Sequence, residues 1–169
     1  MAGAALLAGR AALKLGAGRV YVGLLDNTAL AVDTDQPELM LRRPVEILSP
    51  GCVTALAVGP GLGQGTDARD LLKQALSTDL PLVLDADALN LLAAHPVLAK
   101  QVRRRTAATL ITPHPLEAAR LLGLEVGALQ ADRLHAAIAL SGKLNAVTLL
   151  KGCGSIIALP SGSWYINSS

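Results

Sequence analysis

Short β-type runs recur at Arg19–Leu25, Ala55–Val58, Leu82–Leu84, Thr109–Thr112 and Ala146–Leu150, and most are separated by stretches of helical periodicity. This alternation constrains the chain more than any other feature. Ala68, Leu71, Leu72, Ala75 and Leu76 repeat at i, i+3, i+4, i+7 and i+8 after a candidate cap at Thr66 or Asp67. His114-Pro115-Leu116-Glu117 opens a further helix, with Pro115 suited to its first position and Gly123 to its stop. Another is predicted from Leu129 to Leu140, and Ala4–Leu15 reads as a helix leading through Gly16-Ala17-Gly18 into the first strand. Strands apolar on both faces and separated by helices predict an α/β fold: a mostly parallel sheet with helices on both faces, joined by right-handed crossovers. Near the C-terminus Ser155–Leu159 and Ser163–Ile166 flank Pro160-Ser161-Gly162, which predicts an antiparallel β-hairpin. No repeat or linker divides residues 1–169, which read as one domain.

Composition removes several functional classes. A formal charge of +2 is too small to imply a nucleic-acid or anionic-membrane partner. With no Phe, one Trp and two Tyr, there is no aromatic platform on which bases could stack. Cys52 and Cys153 match no metal spacing and read as reduced thiols, so a cytoplasmic location is expected. Arg10, Lys14, Asp26, Asp85 and Lys151 interrupt the apolar stretches before any reaches the ~18 residues of a membrane span. The acid-free first 25 residues superficially resemble a transit segment, but their helix, turn and strand pattern speaks for a working part of the fold. Only 17% of residues are charged, and the Ala/Leu-rich first helix lacks a clear polar face, so a homo-oligomer is expected.

The residues that follow the strands are Asp26, Gly59, Asp85, Thr112 to His114 and Lys151, all predicted to share one edge. Ligands of open parallel sheets bind outside the carboxyl ends of the strands, where helix N-termini also point. Glycines at 59, 61, 63 and 65 precede a helix, and so form either a phosphate-cradling loop or a tight turn. Neither G-x-G-x-x-G nor a Walker A string is present. Asp85, Asp87 and Asn90 surround a strand end, where the carboxylates suit Mg²⁺ held through waters or a sugar hydroxyl, while Asp87 also suits a helix cap. His114 suits phosphate binding, proton transfer or capping, and Glu117 is a first-turn acid with an electrostatic role. Lys151-Gly-Cys-Gly-Ser155 places a cation, flexible backbone and a hydroxyl together, a set suited to a di- or triphosphate or else an exposed strand end.

Taken together, GAALLAGRAALKLGAGRV, AVGPGLG, LVLDADALNLLA, ITPHPLEAARLLG, LQADR and LLKGCGS resemble the ADP-dependent NAD(P)H-hydrate dehydratase family, the carbohydrate-kinase-like domain of YjeF-type proteins. The resemblance runs in order along nearly the whole chain and implies a ribokinase-like fold. It further implies repair of hydrated NADH or NADPH with ADP or ATP and Mg²⁺, the ring hydroxyl being phosphorylated and then lost as phosphate. Carried over by motif, Ala4, Gly59, Gly61, Gly63 and His114 contact the hydrated dinucleotide, with Glu117 beside them. Lys151, Gly152, Cys153, Gly154 and Ser155 hold the nucleotide phosphates, and Asp85 and Asn90 shape the site between.

In the family a strand and glycine-rich turn precede Met-x-Gly-Ala, and a G-G-T/S-G-D motif with the catalytic aspartate follows an Asn-Ser/Pro-Ser/Thr segment. This sequence begins at that Met and ends at Asn167-Ser168-Ser169, so it is expected to be an incomplete domain without the catalytic Asp. The alternatives are a small-molecule kinase of the same superfamily and a non-catalytic nucleotide-binding module.

Overall fold

The computed structural model describes residues 2–25, 32–49 and 51–167. Its elements run α1 (Ala2–Lys14), β1 (Tyr21–Gly23), β2 (Met40–Arg42), α2 (Pro44–Ile47), β3 (Leu56–Val58), α3 (Thr66–Leu76), β4 (Leu82–Leu84) and α4 (Asp87–Ala94). Then follow α5 (Pro96–Arg104), β5 (Thr109–Ile111), α6 (Pro115–Leu122), α7 (Val126–Ala131), α8 (Arg133–Leu144), β6 (Val147–Leu150), β7 (Ser155–Ala158) and β8 (Trp164–Asn167). A six-stranded sheet has the order β3-β4-β5-β6-β7-β8. Its first four strands are parallel, and β7 and β8 are antiparallel additions. This agrees with the expected α/β class and C-terminal hairpin.

The parallel strands show why the helices are needed. Leu82 and Leu84 of β4, Ile111 of β5 and Leu150 of β6 are buried together with Leu72, Leu89, Leu92, Val102, Leu121 and Leu140 from the helices. Their removal from water supplies the main stabilisation, at about 25 cal/mol per Å² of apolar surface. Alternate strand residues Val83, Leu110, Val147 and Leu149 keep partial exposure, so among the described residues the cover is complete on one face only. At the opposite pole from the strand ends, Arg105 ties the α3–β4 connection by donating to the carbonyls of Leu76, Thr78 and Leu80 at 2.6–2.7 Å.

Four expectations need correction. The first strand does not pair into the large sheet; β1 and β2 form a separate parallel pair. There α1 lies close because Gly9 has no side chain: a Cβ would come within 2.5 Å of Val22. The α3 N-cap is Gly65, with no side-chain cap bond, rather than Thr66 or Asp67. The single helix expected from Leu129 to Leu140 is two, because Asp132 leaves helical geometry and its carboxylate accepts from the His135 amide, starting α8 afresh. Asp87 is the first residue of α4 rather than its cap. Asp26 lies outside the described residues.

Candidate functional site

Parallel pairing carries successive strand ends to one edge. The Asp85 amide donates to Val58 O, the Thr112 amide to Leu84 O and the Lys151 amide to Pro113 O, at 2.9–3.1 Å. Gly59, Asp85, His114 and Lys151 therefore follow neighbouring strands at one side of the sheet, as the sequence predicts. Lys151 Nζ donates to Asp85 Oδ1 at 2.7 Å, bridging residues separated by 66 positions. The same Oδ1 accepts from the Ala86 amide at 2.8 Å.

Between β4 and α4 the chain turns at Ala86, which has φ 49° and ψ −120°. A side chain raises the energy of this conformation, so it persists only where the surroundings enforce it. Here the Asp85 carboxylate engages Lys151, whereas the Asp87 carboxylate reaches the glycine loop. Asp87 Oδ2 accepts from the Gly63 amide at 2.8 Å, and Gln64 Nε2 lies 3.4 Å from Oδ1. The Gly63 amide is thus already bonded to a carboxylate, which weakens the phosphate-cradle reading of this loop and favours a shaped turn. Gly61 and Gly63 have φ values of +70° and +80°, which glycine adopts without strain.

His114 does cap α6. Its Nδ1 accepts from the amides of Leu116 at 3.1 Å and Glu117 at 3.4 Å, while the Glu117 carboxylate accepts from the His114 amide at 2.8 Å. With Nδ1 occupied as an acceptor, the neutral tautomer carries its proton on Nε2, the nitrogen that faces the Glu117 carboxylate. Glu117 is only 5% exposed and lies 3.3 Å from Nε2, so it orients His114 rather than standing open to a ligand. Asn90 accepts from Arg120 Nη1 at 2.8 Å. Ala4 stands in the first turn of α1, which packs on β1.

The segment from Lys151 to Ser155 is the tight connection between β6 and β7. Ser155 Oγ donates to Gly152 O at 3.1 Å, and Arg133 Nη1 donates to Cys153 O at 2.7 Å. The Arg133 guanidinium lies against Gly152, where a Cβ would approach Nη2 to 2.5 Å. Arg133 is a site residue that sequence reasoning missed. It lies in the LQADR string, but nothing in that string's local pattern reveals that it braces a loop 20 positions away.

Among the described residues no group of three or more His, Cys, Asp or Glu is placed to hold a metal. Magnesium is commonly held by one or two carboxylates, waters and substrate phosphates rather than by a protein cage. Asp85, beside Lys151, fits a cation carried in on phosphates. No helix among the described residues is long and apolar enough to cross a membrane.

A family model described as carbohydrate kinase, NAD(P)H-hydrate dehydratase, matches residues 1–169. An ADP-dependent (S)-NAD(P)H-hydrate dehydratase of Neisseria meningitidis serogroup B is 40% identical over 172 residues, covering 100% of this chain and 58% of the relative. The bifunctional NAD(P)H-hydrate repair enzyme Nnr of Coxiella burnetii is 39% identical over 170 residues, covering 98% of this chain and 33% of that protein. The crystal structure of the Bacillus subtilis ADP/ATP-dependent NAD(P)H-hydrate dehydratase, co-crystallized with ATP/Mg²⁺ and soaked with CoA, superposes with a TM-score of 0.82 at 31% identity. It covers 100% of this chain and 62% of the other. A ribokinase-like superfamily protein from Enterococcus faecalis, 23% identical with a TM-score of 0.75, shares the fold. The chain therefore spans between about a third and three-fifths of these longer relatives.

Proposed function

We propose, from the premise that this chain belongs to the NAD(P)H-hydrate dehydratase family, that it forms part of an enzyme dehydrating hydrated NADH or NADPH with ADP or ATP. The observation that carries this reading is the meeting of Lys151 and Asp85 at the strand-end edge, next to the braced loop at 151–155. Lys151 supplies positive charge to the nucleotide phosphates. Gly152, Cys153, Gly154 and Ser155 give them a loop without bulky side chains, kept in shape by Arg133. The Gly59–Gly63 loop, pinned by Asp87, and the half-exposed His114 ring take the hydrated dinucleotide. Ala4, carried over by motif, belongs to the same dinucleotide subsite. Asp85 and Asn90 stand between the two subsites, with Glu117 holding His114.

Transfer of a phosphoryl group depends on positioning and on fixed positive charge around the phosphate oxygens. When bound, Mg²⁺ supplies further neutralisation of that charge. Phosphorylation turns the ring hydroxyl into a leaving group, and its departure as phosphate, with loss of a proton from the neighbouring ring carbon to form the C=C bond, regenerates the dihydronicotinamide.

The exposed Leu7 of α1 and Leu15 just after it support a homo-oligomer. The free thiols of Cys52 and Cys153 support a reducing, cytoplasmic setting. The test supplies hydrated NADH and ADP to the protein carrying residues 1–169 in its natural chain and follows the return of NADH together with phosphate. Lys151→Ala is expected to abolish ADP dependence without loss of fold. Phosphorylation of a hydroxyethylthiazole or pyridoxal-type alcohol, with no NADH formed, would favour the kinase alternative.

A further inference from the structure

We propose that Asp85 acts as an internal anion that occupies Lys151 until nucleotide arrives, so that the site selects a nucleoside polyphosphate accompanied by a divalent cation over the metal-free nucleotide. This rests on the reading of Lys151 as a phosphate ligand. The pair joins β4 to β6 across the intervening β5, and both backbones are fixed. The Lys151 amide is bonded to Pro113 O, while Asp85 is held through its amide to Val58 O and through its carbonyl, which accepts from Ala88 N at 3.1 Å. The Ala86 amide, which donates to the same Oδ1 as Lys151 at 2.8 Å, holds the Asp85 carboxylate in this orientation. Asp87 points its carboxylate into the glycine loop and so does not share this task.

Asp85 and Lys151 side chains are 30% and 39% exposed, so a ligand can reach the pair. A lysine ammonium has three donors, and a phosphate can approach it in either of two ways. It displaces the carboxylate, losing the 2.7 Å bond, or it shares the ammonium and lies beside a like charge. Both routes weaken metal-free binding. A divalent cation carried by the phosphates relieves both, because it gives the Asp85 carboxylate a new counter-charge, directly or through water. Asp85 is thus a positioning and selectivity residue.

The experiment titrates ADP into the wild-type protein and into Asp85→Asn by calorimetry, with chelator and with Mg²⁺. The Asn side-chain oxygen can still accept from the Ala86 amide, so the turn is kept. Metal-free affinity is expected to rise about fivefold in Asp85→Asn, the scale of a part-exposed ion pair. Mg²⁺ should tighten binding to the wild type and leave the variant nearly unchanged. Equal or weaker metal-free binding by Asp85→Asn, or a wild type indifferent to Mg²⁺, overturns the proposal.

The ligand-free pair is read separately through Lys151 acetylation by limiting acetic anhydride, followed by peptide mass spectrometry. Acetylation should be faster in Asp85→Asn and, in the wild type, faster as salt screens the pair. The salt arm serves if the variant fails to fold. Rates unmoved by both changes overturn the pairing itself. Altered rates with no ADP bound by either protein overturn the assignment of Lys151 to phosphate, and with it the role of Asp85, while leaving the pair as a structural contact.

Discussion

The carbonyl oxygen of Asp85 occupies the space that a Cβ on Gly59 would need. Gly59 also has φ +133°, a conformation costly for any side chain. Backbone and backbone meet here, so no rotamer change can make room. Gly59→Ala is expected to destabilise the protein by about 3 kcal/mol or more, read from urea unfolding. By contrast Gly65→Ala, where no atom lies within 4 Å of the added Cβ, should cost only about 1 kcal/mol or less, the loss of a favoured cap residue.

Asp87 decides whether the glycine loop keeps its shape. Its bond to the Gly63 amide is a charge-assisted contact, and Asp87→Ala should cost about 1–2 kcal/mol. Asp87→Asn retains an acceptor and should cost less. If the loop receives the dinucleotide, Asp87→Ala should weaken that ligand more than it weakens ADP, as measured by paired titrations.

Arg133 is expected to affect nucleotide binding out of proportion to stability. Its fork reaches Cys153 O directly and lies 3.4–3.5 Å from the carbonyls of Lys151 and Leu150. A lysine has the charge but not the planar fork. Arg133→Lys should lower ADP affinity about tenfold, with a melting temperature within a few degrees of wild type.

Arg105 should behave in the opposite way. Burial draws its guanidinium below its ordinary value, partly opposed by Asp79. It donates to three carbonyls of the α3–β4 connection. Arg105→Ala is expected to cost about 2–4 kcal/mol of stability, because carbonyl partners are left unsatisfied. ADP affinity in the folded variant should be unchanged, since this residue lies at the other pole of the sheet.

Acid should first weaken the α1–β1–β2 unit. Hydrogen bonds from Arg10 hold the Asp33 carboxyl below its usual range, against the opposing effect of desolvation. A carboxyl depressed in the folded state adds stability above its unfolded value of about 4, and that stability is lost as pH falls through the lower folded value. Asp132, held low by the His135 amide and ring, acts in the same direction. Circular dichroism below pH 4 should show a shallower loss of stability with pH in Asp33→Asn than in the wild type.

Much of the edge was legible because its signals are local. Apolar runs bounded by glycine or acid located β3 to β6, and parallel pairing of such strands sends Gly59, Asp85, His114 and Lys151 to one side whatever their side chains do. The cap at His114 was visible for the same reason: Pro115 and Glu117 lie within one helical turn of it. β2 escaped notice because Met40–Arg42 has no β-branched residue and runs directly into Arg43 and Pro44, so it lacks the apolar run that marks the other strands. The break at Asp132 did so because apolar spacing continues across it.

Neighbours a few positions away specify β3 to β6 and most of the helices between them, the antiparallel end and the identity of the edge residues. The folded chain assigns those residues their roles. It set Asp85 on Lys151, Asp87 on Gly63 and Arg133 on the loop after β6, contacts across 66, 24 and 20 positions. It also separated β1 from the main sheet and buried Glu117 behind His114. Side-chain pairing across a sheet depends on strand order, register and the direction each Cα–Cβ bond takes at a turn, none of which a local stretch specifies. Ala86, strained between two carboxylates that part in different directions, is where those three conditions meet.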